Sequence, residues 1–148
     1  PSDVQKYLAR VSGPLLDRID IQIELPPVTF TEMSNREEEG ERSADIRARV
    51  NAARRRASAR ARAAGYPALY CNATMGSAEI RRFCETDDEG RALLAAAFDS
   101  LGLSGRGYDR ILRVARTIAD LDGAETIGAA HIGEAIQLRS LDRKYWNR

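Results

Sequence analysis

LGLSGRGYDRILRVARTIADLD, residues 101–122, reads as an amphipathic helix with both ends marked. Gly102 stops the element before it, and Ser104 is an N-cap residue whose hydroxyl accepts a backbone N–H one turn on. Tyr108, Ile111, Val114, Ala115, Ile118 and Leu121 recur at helical spacing and predict the buried face. Gly123 closes the helix. Isolated helices are marginal in water, so this apolar face requires neighbours.

Those neighbours are legible on both sides. Downstream, Ala129 to Leu141 predicts a last helix with Ile132, Ala135 and Ile136 inward. Upstream, Asp87 or Asp88 caps a helix whose Leu93, Leu94, Ala97, Phe98 and Leu101 face the core. Ser77 is expected to cap a short helix through Arg82 or Cys84. Residues 66–76 read as an irregular connection. A long helix starts at Ser43, with Ile46, Val50, Ala53 and Ala57 as its apolar stripe, and Gly65-Tyr66-Pro67 ends it. Residues 28–41 read as a polar, acidic loop. The expected fold is mainly α, a bundle of four to five helices.

One segment breaks the helical pattern. Arg18-Ile19-Asp20-Ile21-Gln22-Ile23-Glu24 alternates isoleucine with polar residues, the period of a half-buried strand, before Leu25-Pro26-Pro27 ends it. Upstream, Val4 to Val11 predicts a short helix stopped by Ser12-Gly13-Pro14. A lone strand leaves its ladder groups unpaired. That, with Pro1 in place of Met, reads as an excised piece of a larger fold.

Composition narrows the rest. Hydrophobic residues make up 43% but aromatics only 6%, so the core must be aliphatic. The net charge of +1 hides a local imbalance: residues 42–62 carry eight arginines and one acid, Asp45. Two cysteines, Cys71 and Cys84, and one histidine, His131, cannot build a four-ligand Cys/His zinc site. Two cysteines in 148 residues do not resemble a secreted disulfide framework. No leader and no apolar run of membrane length is present, so a cytoplasmic chain without membrane contact is expected. His131 reads as a helix-terminal or packing residue.

There is no G-x-x-x-x-G-K-[ST], so no loop here wraps a triphosphate. Two arginines stand out instead. Arg18 follows a proline-stiffened turn at the start of the extended segment. Arg106 lies in the first turn of a capped helix, where acids are usually favoured, which suits an external anion. The plainer reading of each is an ordinary solvated arginine. Arg47, Arg49, Arg54, Arg55, Arg56, Arg60 and Arg62 invite a nucleic-acid reading, with Arg54, Arg55, Arg56 and Arg60 as candidate phosphate contacts. No aromatic is interleaved for base stacking, and a solvated face or subunit contact is the plainer reading.

SGPLLDRIDIQIE, residues 12–24, resembles the end of an AAA+ ATPase core in the magnesium-chelatase and replicative-helicase branch. Residues 101–122, with AHIGEAI at 130–136 and RSLDR at 139–143, are similar to the helical lid of that branch, closest to the magnesium-chelatase-like ATPases of the ComM/YifB type. The resemblance implies three parts: the end of the core with the finger motif and one strand at 1–27, a loop at 28–42, and a lid domain at 43–148. It implies that Arg18 is an arginine finger acting in trans and that Arg106 is the sensor-2 residue of nucleotide binding. Walker A and Walker B would lie upstream of Pro1, so the piece alone would hydrolyse nothing. The parent would use ATP and Mg²⁺, with neither bound by the piece alone. It would form a homo-oligomer, a hexameric ring, and act on DNA in recombination. Two other readings stay open: the motor subunit of a metal chelatase, and a free-standing basic DNA-binding module.

Overall fold

The computed structural model describes residues 15, 18–23, 25–34, 40–69 and 71–139. The expected helix at 4–11 and the end of the last predicted helix, 140–141, lie outside them. Among the described residues six helices follow in order: α1 (Phe30–Ser34), α2 (Ser43–Ala63), α3 (Ser77–Phe83), α4 (Asp88–Leu101), α5 (Gly105–Asp122) and α6 (Ala129–Gln137), with a 3-10 turn at Asn72–Thr74. The mainly α fold with five helices after residue 43 is as expected.

The caps explain the boundaries. The Asp87 carboxylate accepts from the Gly90 N–H at 2.7 Å, and the Ser104 hydroxyl from the Gly107 N–H at 3.0 Å. Gly102 and Gly123 end α4 and α5 at φ +59° and +78°, where a side chain would be strained. Ser77 does not cap α3; it is the first helical residue, and Gly76 holds the cap position without a side-chain bond. His131 sits in the first turn of α6, where its Nδ1 accepts the Gly128 N–H at 2.9 Å and its Nε2 lies 3.2 Å from Asp122. This is the helix-terminal role read from the sequence.

Helix α5 is the axle. It packs against α2, α3, the 3-10 turn and α6, while α4 packs on α6. Ile111, Ala115, Ala119, Ile127, Ile132 and Ala135 are fully buried around it. Each fully buried aliphatic of the size of isoleucine contributes about 1.5–3 kcal/mol. Burial extends beyond the expected stripe to Leu112, Arg116 and Asp120, because α5 is covered on several sides at once. At the rim, Tyr108, Leu93 and Phe98 are more exposed than expected, with Phe98 and Tyr108 meeting edge to face. On α2, Ala53, Ala57 and Ala61 form the buried seam, and Ile46 stays exposed because the first turns of α2 extend past the bundle.

The strand expected at 18–24 is not formed among the described residues 18–23. Ile19, Ile21 and Ile23 are 40%, 51% and 64% exposed, whereas Gln22 is 8% exposed. The apolar face that alternation sends inward therefore points outward. Among the described residues no sheet receives it; the sole β pairing is an isolated bridge between Thr86 and Ile127. The Gln22 N–H donates to the Leu138 carbonyl at 2.6 Å, a helix end and not a strand. The stretch read as a loop at 28–41 contains α1, whose Phe30 and Met33 are exposed. Among the described residues no helix is long and apolar enough to cross a membrane.

Candidate functional site

Arg18 and Arg106 are both exposed, and neither guanidinium has a hydrogen-bond or ion-pair partner among the described residues. Their backbones, by contrast, are firmly placed. Arg106 rides in the first turn of α5 behind the Ser104 cap. That turn also presents the positive end of the helix dipole, which favours an anion.

Arg18 is placed by two arginines that the sequence reading did not single out. Arg110 Nη1 donates to the Arg18 carbonyl and to Asp20 Oδ1, each at 2.5 Å. Arg139 Nη1 donates to the Ile19 carbonyl at 3.0 Å. With the Gln22–Leu138 bond, these contacts fasten residues 18–22 across α5 and the end of α6. Arg110 follows Arg106 by four residues, so both rise from one helical face. The fold thus attaches both candidate arginines to one body. The sequence held a faint signal: Asp20 lies in the quoted finger-like motif and Arg110 in the lid helix, but nothing local joins residues ninety positions apart.

The basic helix divides differently. Arg60 donates to both Asp120 oxygens, at 2.5 and 2.9 Å, and to Asn72 Oδ1 at 3.0 Å. Arg56 donates to the Asp120 carbonyl at 2.8 Å. Asn72 Nδ2 also reaches Asp120 Oδ2 at 2.8 Å. Arg116, 1% exposed, reaches the Glu125 and Ala124 carbonyls, each at 2.6 Å, and Asp120 Oδ1 at 3.1 Å. Burial pulls the Arg116 guanidinium below its ordinary pKa, and Asp120 opposes that fall. Arg56 and Arg60 are therefore engaged in holding α2 to α5. Arg47, Arg54 and Arg55 are exposed and have no partner among the described residues.

Cys71 and Cys84 are free thiols. Burial pushes the Cys84 thiol up to about 11, partly offset by Arg116 and Arg60, so it is a packing residue against Met75 and a poor nucleophile. Among the described residues no cluster of three His, Cys, Asp or Glu side chains could hold a metal ion. The exposed guanidiniums of Arg18 and Arg106 keep their N–H donors available to an anion.

This helical bundle is the C-terminal region of the magnesium-chelatase-like AAA+ family. The chain belongs to that family: the description "Magnesium chelatase, subunit ChlI C-terminal" matches residues 40–139, and "Magnesium chelatase, subunit ChlI" matches residues 1–33. Competence protein ComM of Haemophilus influenzae is 40% identical over 143 residues, 97% of this chain and 27% of that protein. The uncharacterized protein YifB of Escherichia coli is equally similar, at 40% over the same shares. An uncharacterized Mycobacterium tuberculosis protein is 34% identical over 91% of this chain and 26% of its own length. The chain thus spans about a quarter of the relatives it matches.

Proposed function

We propose that this chain is the finger segment and lid of a longer AAA+ ATPase, working as a hexameric homo-oligomeric ring with ATP and Mg²⁺ held largely by residues of a preceding core. Residues 1–27 end that core, 28–42 connect, and 43–148 are the lid. Arg18 is the arginine finger and Arg106 the sensor-2 residue. The observation that carries this reading is their shared mounting: two exposed guanidiniums without described partners, held by one helix pair. An arginine already fixed by its backbone neutralises charge developing on a transferring phosphoryl group without reorganising at the moment of reaction. A finger supplied in trans contributes roughly 10³–10⁵ in rate. Arg18 acts in trans, on the nucleotide of a neighbouring subunit. Magnesium, when bound with ATP, neutralises phosphate charge; these arginines add to that neutralisation at the γ end.

The test is Arg18→Ala in the longer protein. ATP hydrolysis should fall by about three orders of magnitude while ATP binding is retained. Lost nucleotide binding in that variant would make Arg18 a structural residue and overturn the reading.

The cargo reading is DNA, with the chain acting inside a cytoplasmic recombination motor. Its support is the exposed face of α2, where Arg54 and Arg55 have no described partner, together with the likeness to a competence protein. Arg56 and Arg60 are bonded to Asp120, so they are less free to meet a phosphate than Arg54 and Arg55. Arg54→Ala with Arg55→Ala should reduce the salt dependence of DNA binding by about one unit of slope per lost phosphate contact. An unchanged slope would favour the alternative, a metal-chelatase motor acting through a partner.

A further inference from the structure

We propose that Arg110 is a positioning residue for the finger: through its bonds to the Arg18 carbonyl and to Asp20, the lid itself aims Arg18. This rests on Arg18 being the finger and adds what sets its direction. Three observations carry it. The Arg18 side chain is exposed and has no partner among the described residues, so only its backbone can aim it. That backbone is held at consecutive carbonyls by side chains of the lid: Arg18 by Arg110 and Ile19 by Arg139. Finally, the Arg110 side chain is 18% exposed although it ends in an ion pair whose other half, Asp20, is 48% exposed.

A half-exposed pair adds little to stability. Its consequence is geometric. Arg110 sits about 6 Å along the α5 axis from Arg106. A movement of α5 therefore carries the lid arginine and the finger together. Segment 18–22 follows the lid although its sequence belongs to the family part that precedes it. Placement errors of about 1 Å at a reacting group cost on the order of a hundredfold in rate, so a loosened Arg18 should react slowly while the protein still binds ATP.

The experiment compares Arg110→Gln, Asp20→Asn, Arg18→Ala and the Arg18→Ala/Arg110→Gln double variant in the longer ATPase. Readouts are kcat, KM for ATP, binding of a non-hydrolysable ATP analogue, and ring size. Arg110→Gln should lower kcat about 10- to 100-fold with KM and analogue binding within about twofold. Asp20→Asn, a milder change at a more exposed position, should lower kcat less and in the same manner. The double variant should match Arg18→Ala alone, because Arg110 acts only through Arg18. Arg110→Lys keeps the charge beside Asp20 and should recover part of the loss. If Arg18→Ala collapses kcat but Arg110→Gln and Asp20→Asn do not, the positioning role is wrong and the finger reading stands. Equal losses from Arg110→Gln with and without Arg18 would make Arg110 a general structural residue. If Arg18→Ala has no effect, the finger reading falls, and the positioning role with it.

Discussion

The two ends of α5 use arginine in opposite ways. At its C-terminal end, Arg116, with Arg60 reaching across from α2, surrounds Asp120, and nearly every donor has a protein acceptor; within Arg116 the Nε alone lacks one. At its N-terminal end, Arg106 and the Arg18 segment stapled to Arg110 leave two guanidiniums without described partners. The same residue type is a rivet at one end and an offered charge at the other. Charge count and helix position do not separate the two uses. Burial does, because a buried guanidinium must find acceptors or lose its hydration uncompensated.

The contrast breaks most visibly through rate. Arg106→Ala in the longer ATPase should depress hydrolysis by orders of magnitude, as Arg18→Ala does, yet either change in this chain should shift unfolding free energy by less than about 0.5 kcal/mol. A large loss of stability from either would erase the distinction between the ends. Asp120→Ala is the reciprocal case. It strands Arg60 and Arg116, and denaturant unfolding should show a loss of about 3–5 kcal/mol.

Smaller effects sharpen the same picture. Cys84 lies near the riveted end, its thiol raised from 9.0 to about 11 by burial. Between those values the unfolded chain has released the proton and the native chain retains it, so stability should be intact below pH 9 and fall as pH rises toward 11. Unfolding midpoints across that range, compared with Cys84→Ala, measure it; a flat difference would mean the thiol is not protected. Ser104→Ala removes the cap that sets the Arg106 turn and should cost about 1 kcal/mol. Gly105→Ala should add about 0.4–1 kcal/mol, since its Cβ meets nothing within 4 Å.

Much of the fold was legible because helix signals are local. Ser104, Asp87, Gly102 and Gly123 mark ends through hydrogen bonds within one turn, and the Ile111–Ile118 stripe follows the helix period. The 18–24 segment misled for the same reason. Its alternation is a local statement about which side chains share a face, and a strand also needs a neighbour. Here Gln22 meets Leu138 and its isoleucines face outward.

The sequence by itself determined that the chain is mainly helical, where α4 and α5 start and stop, and that Arg106 lies in the first turn of a capped helix. Each of those follows from contacts within a few residues. The tertiary structure alone decided that Arg60 and Arg56 are bonded to Asp120 while Arg54 and Arg55 have no described partner, and that the Arg18 carbonyl is held by Arg110. Those outcomes depend on pairs such as Arg60–Asp120 and Arg110–Asp20, separated by 60 and 90 positions. The difference between an arginine that holds the fold and one left without a partner arises only when packing brings an acceptor to one and solvent to the other.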